Sequence, residues 1–222
     1  MTLFLRSITA GSGDDVAIEF ELCGTHGSER VKCVIPIEVY TECRLEKGEV
    51  ACELYEAISR AADVYAAFKR GVYILGFGAC STSMLVSKLI AKGFERDIAR
   101  EAAAQIKKRG YLDEASNAIR EAEKCAAKLW GATRIRAALQ QKRYSAEAID
   151  NALFALEDED RAVDFDENCK RLIASRYKVI PQDRAQMQKL VAAVCRMGYS
   201  ISQIRTACNE LITEQRRPDP YK

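Results

Sequence analysis

One histidine, His26, and nine cysteines are the residues from which this 222-residue chain could build a nucleophilic or metal site. A Ser-His-Asp or Cys-His arrangement needs an imidazole held against the nucleophile and oriented by a third group. His26 stands in Cys23-Gly24-Thr25-His26-Gly27-Ser28, a turn-forming composition that argues against that role. Zinc would need mostly thiolate ligands, and no Cys-x-x-Cys occurs. Cys23, Cys33, Cys43 and Cys52 follow the rhythm of successive short elements, as small buried hydrophobes do. The odd cysteine count and a start, Met1-Thr2-Leu3-Phe4-Leu5-Arg6, without a basic segment ahead of an apolar one, fit reduced thiols in a cytoplasm. The run Glu157-Asp158-Glu159-Asp160 reads as a charged junction rather than a cation site. There is no Gly-x-x-x-x-Gly-Lys phosphate loop either. The chain is therefore expected not to be an enzyme and to hold no cofactor and no metal.

The remaining chemistry is charge. Thirty-four Lys and Arg against 32 Asp and Glu give a net charge of +2, but residues 1–55 carry 5 basic and 10 acidic side chains, a net of −5. Residues 56–222 carry 29 and 22, a net of +7. An acidic head thus precedes a basic body that can meet polyanions or acidic protein surfaces. With 48% hydrophobic residues and balanced charge the chain should fold, and no run reaches the roughly 18–20 apolar residues of a membrane span.

The elements that position these charges change character near residue 51. Val16, Ile18, Phe20 and Leu22 alternate with Ala17, Glu19 and Glu21, the period of a half-buried strand. Leu3–Thr9 and Val31–Ile35 are apolar runs separated from it by glycine-rich turns, so the head reads as a small antiparallel meander. Pro36 ends the third strand and suits the first turn of a short helix over 37–43, followed by a turn at Lys47-Gly48. Leu54, Ile58, Ala61, Tyr65, Phe68, Val72 and Leu75 then recur at steps of 4 and 3, predicting a long helix that ends near Gly76-Phe77-Gly78.

An internal repeat organises the rest. Aligning Phe94, Tyr144 and Tyr199 brings Leu89, Leu139 and Val194 into register five positions earlier, and Leu85, Ile135 and Leu190 nine earlier. Ala102, Ala152 and Ala207 follow at +8, and Ile106, Leu156 and Leu211 at +12. The pattern predicts two helices joined by a tight turn at Gly93, Arg143 or Gly198, with the aromatic capping the corner and the alanines allowing close approach. A further helix precedes each pair, over 51–76, about 114–129 and about 161–177. Ser81 and Ser83, Ser145 with Glu147, and Asp183 are the expected helix starts.

The expected fold is mainly α: three tandem three-helix repeats in an elongated array, preceded by a small antiparallel β N-terminal region. The divisions are 1–50 for the β region, 51–112, 113–159 and 160–215 for the repeats, and 216–222 for a tail that begins Arg216-Arg217-Pro218-Asp219-Pro220 and is expected to fray.

Paired helices raise the question of DNA reading. A recognition helix needs basic or amide side chains on its outer face. The helices after the aromatics carry Glu95, Asp97, Glu101, Glu147, Asp150 and Asn151 instead. The helices before them are basic. Lys88 and Lys92 share one face, Arg134 and Arg136 stand near the start of the equivalent helix, and Lys142 and Arg143 close it. A solvated face is the ordinary reading of any one such residue; the recurrence of Lys92 and Lys142 at one repeat position favours contact. With Lys69 and Arg70 these form the candidate contact set for a partner or nucleic acid. Trp130, the only indole, ends a helix, where a corner role outweighs base stacking.

The motifs also carry a family resemblance. Ser81-Thr82-Ser83-Met84-Leu85-Val86-Ser87-Lys88-Leu89-Ile90-Ala91-Lys92-Gly93-Phe94 resembles the Ser-x-x-Glu-Leu-x-x-Lys-Leu-x-x-Lys-Gly segment of the RecX family, regulators of the RecA recombinase, with Met84 in place of Glu. That departure removes a carboxylate that could have paired with Lys88. Lys108-Arg109-Gly110-Tyr111-Leu112-Asp113-Glu114, followed by Ala118, resembles the family's Gly-Tyr-Leu-Asp-Asp turn. Gly131-Ala132-Thr133-Arg134-Ile135-Arg136-Ala137-Ala138-Leu139-Gln140-Gln141-Lys142 is similar to its Gly-x-x-Arg-Ile-x-x-x-Leu-x-x-Lys. The likeness is good over 50–157 and weaker over 160–213; the head, with Leu45-Glu46-Lys47-Gly48, resembles the β extension of longer members. The resemblance implies a non-catalytic, monomeric, cytoplasmic protein that binds the RecA–DNA filament along its groove and inhibits ATP hydrolysis and strand exchange. Single- or double-stranded DNA is a further partner to expect, and a membrane is not. The alternative is a stand-alone helical DNA-binding regulator.

Overall fold

A computed structural model describes residues 2–25, 27–158 and 163–216. His26, Glu159 and Asp160, and the tail beyond Arg216, lie outside the described residues. The chain forms two compact units, Met1–Leu112 and Asp113–Lys222.

In the first unit, strands β1 (Thr2–Ala10), β2 (Asp15–Gly24) and β3 (Gly27–Pro36) form the expected antiparallel meander. A fourth strand, β4 (Gly48–Val50), pairs with Leu3–Leu5 of β1 and gives the order β3-β2-β1-β4. The Lys47-Gly48 turn of the sequence reading is therefore followed at once by a sheet edge. Helix α1 (Ile37–Cys43) starts directly after Pro36, whose missing N–H costs nothing there. Val16, Ile18 and Phe20 of β2 point inward in strict alternation, with Leu5, Cys33 and Ile35 from the flanking strands.

Helix α2 (Cys52–Leu75) serves two cores. Its first half inserts Ile58 among the sheet residues, with Leu54, Tyr55, Ala61 and Ala62 alongside. Its second half packs Val64, Ala67 and Phe68 against α3 (Thr82–Ile90) and α4 (Arg96–Lys108). The Asp15 carboxylate at the start of β2 accepts hydrogen bonds from the Tyr65 hydroxyl and from Lys69 Nζ, the latter at 2.9 Å. These bonds hold Asp15 below the usual carboxylate range. Burial, reinforced by the Asp15 carboxylate, raises the Tyr65 hydroxyl to about 12.

The second unit contains two three-helix groups, each with its own core. The first is α5 (Glu114–Ala126), α6 (Ala132–Gln141) and α7 (Ala146–Leu156). The second is α8 (Phe165–Arg176), α9 (Arg184–Cys195) and α10 (Ile201–Arg216). Every residue in the repeat columns at −9, −5, +8 and +12 is buried in its own group's core. The mainly helical fold with a small N-terminal antiparallel sheet agrees with the sequence expectation.

Local chemistry explains where the helices begin. Ser81, Asp113, Ser145, Asp164 and Asp183 are N-caps whose side chains accept amide hydrogen bonds from the first turn. Ser83, expected as a second start signal, sits inside α3. At α10 the cap is reciprocal: Ser200 Oγ accepts from the Gln203 amide at 3.2 Å, and Gln203 Oε1 accepts from the Ser200 amide at 3.0 Å. The Ser81–Met84 pair keeps only the serine half of such a box, because the methionine offers no carboxylate.

Candidate partner-binding surface

Each three-helix group turns its corner in the same way. Gly93, Arg143 and Gly198 adopt positive φ, at 96°, 58° and 96°. The amides of Phe94 and Tyr144 reach back to the carbonyls of Leu89 and Leu139, at 3.3 and 3.2 Å. This left-handed residue reverses the chain and satisfies the last carbonyls of the preceding helix. Tyr144 and Tyr199 are buried and Phe94 is half-buried, so the ring plugs the corner, while in the first two groups the residue two places before it faces out. Lys92 and Lys142 occupy that outer place, whereas in the third group the equivalent Met197 is half-buried against its own core.

The four candidate cations of the first unit differ in how committed they are. Lys69 is tied to Asp15 and lies over the Tyr65 ring, 4.6 Å from its centroid. Arg70 lies over Tyr73, at 5.0 Å. Lys88 and Lys92 are exposed and make no ion pair among the described residues. From Val64 to Phe94 these four are the only charges: the stretch holds no Asp or Glu.

The four of the second unit are more engaged. Arg136 pairs with Asp150 at 2.6 Å, and Lys142 pairs with Glu121. Arg143 holds the corner conformation and is exposed. Arg134 is half-buried over Trp130, 4.0 Å from the ring centroid, and its guanidinium reaches the Met197 sulfur. Here the indole flanks the joint between the two helical groups. Close by, the Gly131 amide donates to the Met197 carbonyl at 2.8 Å, and the buried Tyr199 hydroxyl donates to the Leu129 carbonyl at 3.1 Å. Arg134 thus braces a joint, whereas Lys88 and Lys92 point into solvent.

The acidic outer faces expected after the corners are present. Glu95, Asp97, Glu101, Glu147, Asp150 and Asn151 are all exposed. Sequence reasoning missed the exposed aromatic pair Tyr73 and Phe77 at the end of α2, whose rings meet edge to face at 4.9 Å. The signal was available, because Tyr73 falls one step off the apolar stripe and Phe77 stands between two glycines with no helix to bury it. Among the described residues no three His, Cys, Asp or Glu side chains converge as metal ligands, and no helix is long and apolar enough to cross a membrane. No disulfide joins the nine cysteines.

No family model matches the chain. It is 31% identical over 128 residues to the regulatory protein RecX of Stenotrophomonas maltophilia (strain R551-3), covering 57% of this chain and 76% of the relative. The regulatory protein RecX of Xanthomonas axonopodis pv. citri (strain 306) is 32% identical over the same extent. Among solved structures, a crystal structure of regulatory protein RecX superposes with a TM-score of 0.70 over 96% of this chain and 100% of that one, at 20% identity. RecX from Lactobacillus salivarius superposes at 0.56 over 67% and 96%, at 17% identity. These two likenesses speak for the fold.

Proposed function

The chain belongs to the RecX family, and from that premise we propose that it regulates the RecA recombinase by binding the RecA–DNA filament and inhibiting its ATP hydrolysis and strand exchange. It acts as a cytoplasmic monomer and catalyses nothing itself. The observation that carries this reading is the recurrence of an exposed lysine, Lys92 and then Lys142, at the outer edge of successive corners. A chain that repeats a basic residue at the same place in successive modules suits a partner that is itself a repeating polymer. Lys88, Lys92, Lys142 and Arg143 form the primary contacts, Lys142 by giving up its pair with Glu121, and Lys69, Arg70, Arg134 and Arg136 contribute less. Such a contact weakens as salt rises.

The test is the DNA-dependent ATPase of RecA titrated with this protein. Sub-saturating protein should slow hydrolysis, and an unchanged rate at saturation would remove the proposal. A stand-alone duplex reader fits less well, because the exposed acids on α4 and α7 would face phosphates.

A further inference from the structure

The C-terminal half of α2 presents a surface that neither core uses. Tyr73 is 57% exposed and Phe77 78%, although rings of this size are ordinarily stabilised by burial. Phe20, of the same chemistry, is completely buried in the sheet core. The two exposed rings meet edge to face, and Arg70 lies over Tyr73 from one turn earlier. Arg70, Tyr73 and Phe77 therefore form a continuous cation–aromatic–aromatic line along one face of the helix and its end.

Charge identifies the occupant. The 32 acidic residues of the chain avoid residues 64–94 altogether, while Lys69, Arg70, Lys88 and Lys92 lie within them; among the described residues Lys69 alone of the four is ion-paired, with Asp15 of β2. Asp63 and Glu95 mark the borders. An apolar protein segment would cover the rings without needing an acid-free stretch of chain or a cation beside them. A duplex satisfies the phosphate charge but keeps its base faces stacked inside. Single-stranded nucleic acid offers both an accessible π-face on every base and one phosphate per nucleotide.

We propose that Arg70, Tyr73 and Phe77 form a stacking site for single-stranded nucleic acid, each ring offering a face to an unpaired base while Arg70 faces a phosphate. The site uses none of the corner lysines, and its test contains no recombinase, so its outcome is independent of the filament reading.

The experiment is fluorescence anisotropy of a labelled oligothymidylate with the full chain. Tyr73→Ala and Phe77→Ala should each weaken binding roughly tenfold, the worth of one stacked base. Tyr73→Phe should bind like the parent, because the ring remains. Arg70→Ala should lower the salt dependence by about one ion. Phe77→Trp should add indole emission that the oligonucleotide quenches, a readout that loss of fold cannot mimic. Three results overturn the proposal. One is an unchanged Kd after both rings are removed, with an unchanged thermal melt. Another is a duplex bound as tightly and weakened equally by ring removal. The third is ring removal that abolishes self-association while leaving oligonucleotide binding intact, which would assign the patch to a protein partner.

Discussion

Gly131 and Gly198 stand back to back at the joint between the two helical groups of the second unit. A Cβ on Gly131 would meet the carbonyl carbon of Gly198 at 2.5 Å and the Tyr199 amide nitrogen at 2.9 Å, and backbone atoms cannot swing aside. Gly131 itself has φ −78°, which any residue adopts, so the requirement there is space alone.

Gly131→Ala should therefore destabilise the second unit by about 1–3 kcal/mol through overpacking. Gly93→Ala is the control: it shares the φ of 96° seen at Gly198, but no atom lies within 4 Å of its Cβ position. Only the conformational cost of about 1 kcal/mol applies to it. Urea melts of the two variants compare space with conformation, and equal losses would contradict the packing account.

The corner charges can be removed without touching the cores. Lys88→Ala and Lys92→Ala lose exposed side chains without ion pairs among the described residues, so the melting temperature should hold while inhibition of RecA weakens and its salt dependence flattens. Arg143→Gly places at the second corner the residue that Gly93 and Gly198 supply at the others, so the turn accepts it. It should lower filament affinity with no loss of fold, whereas Arg134→Ala should cost stability by uncovering Trp130. If all four variants inhibit like the parent, the contact set lies elsewhere.

The tie between the sheet and α2 should show in the pH dependence. Asp15 is held below its ordinary value by Tyr65 and Lys69, so its contribution is present above about pH 4 and is lost as pH falls through the lowered value. Tyr65 has the opposite sign. Raised to about 12, it contributes fully below pH ~10, and that contribution fades between ~10 and 12 as the unfolded chain deprotonates first. Tyr65→Phe should cost about 1 kcal/mol at neutral pH. It should also remove part of the alkaline slope of stability, and an identical slope in the variant would separate Tyr65 from the effect.

The sequence made some of this plain and hid the rest for physical reasons. Alternation in β2 was legible because one face is dry, and the repeat columns because each is a core position. β4 was not, since three residues are too short to show a period of two. The long helix was recognised but its buried face was set slightly off: the stripe through Leu54, Ile58, Tyr65 and Phe68 omitted Val64, Ala67 and Gly71, all of which are buried. Alanine and glycine carry little hydropathic signal, yet they mark where another helix comes closest. In the site, Lys88 and Lys92 read correctly as exposed. The engagement of Lys69 did not, because its partner Asp15 is 54 residues away across the sheet.

That close approach yields a sharp test at Gly71. An alanine in the middle of a helix is normally better than glycine by about 1 kcal/mol. Here the new Cβ would collide with the Ile106 Cδ1 of α4, and the Cδ1 atoms of Leu85 and Leu89 stand 3.8 Å away, leaving Ile106 little room to move. Ile106 is completely buried, so its rotamer is held from all sides. Gly71→Ala should thus destabilise by about 1–2 kcal/mol in spite of its helix propensity. Ile106→Val alone deletes the Cδ1 methyl and should cost about 0.5–1.5 kcal/mol. In the double variant the alanine Cβ takes the place of the deleted methyl, so the combined loss should be smaller than the sum of the single losses by about 1 kcal/mol or more. Strict additivity in denaturant melts would mean that α2 and α4 do not meet through this pair.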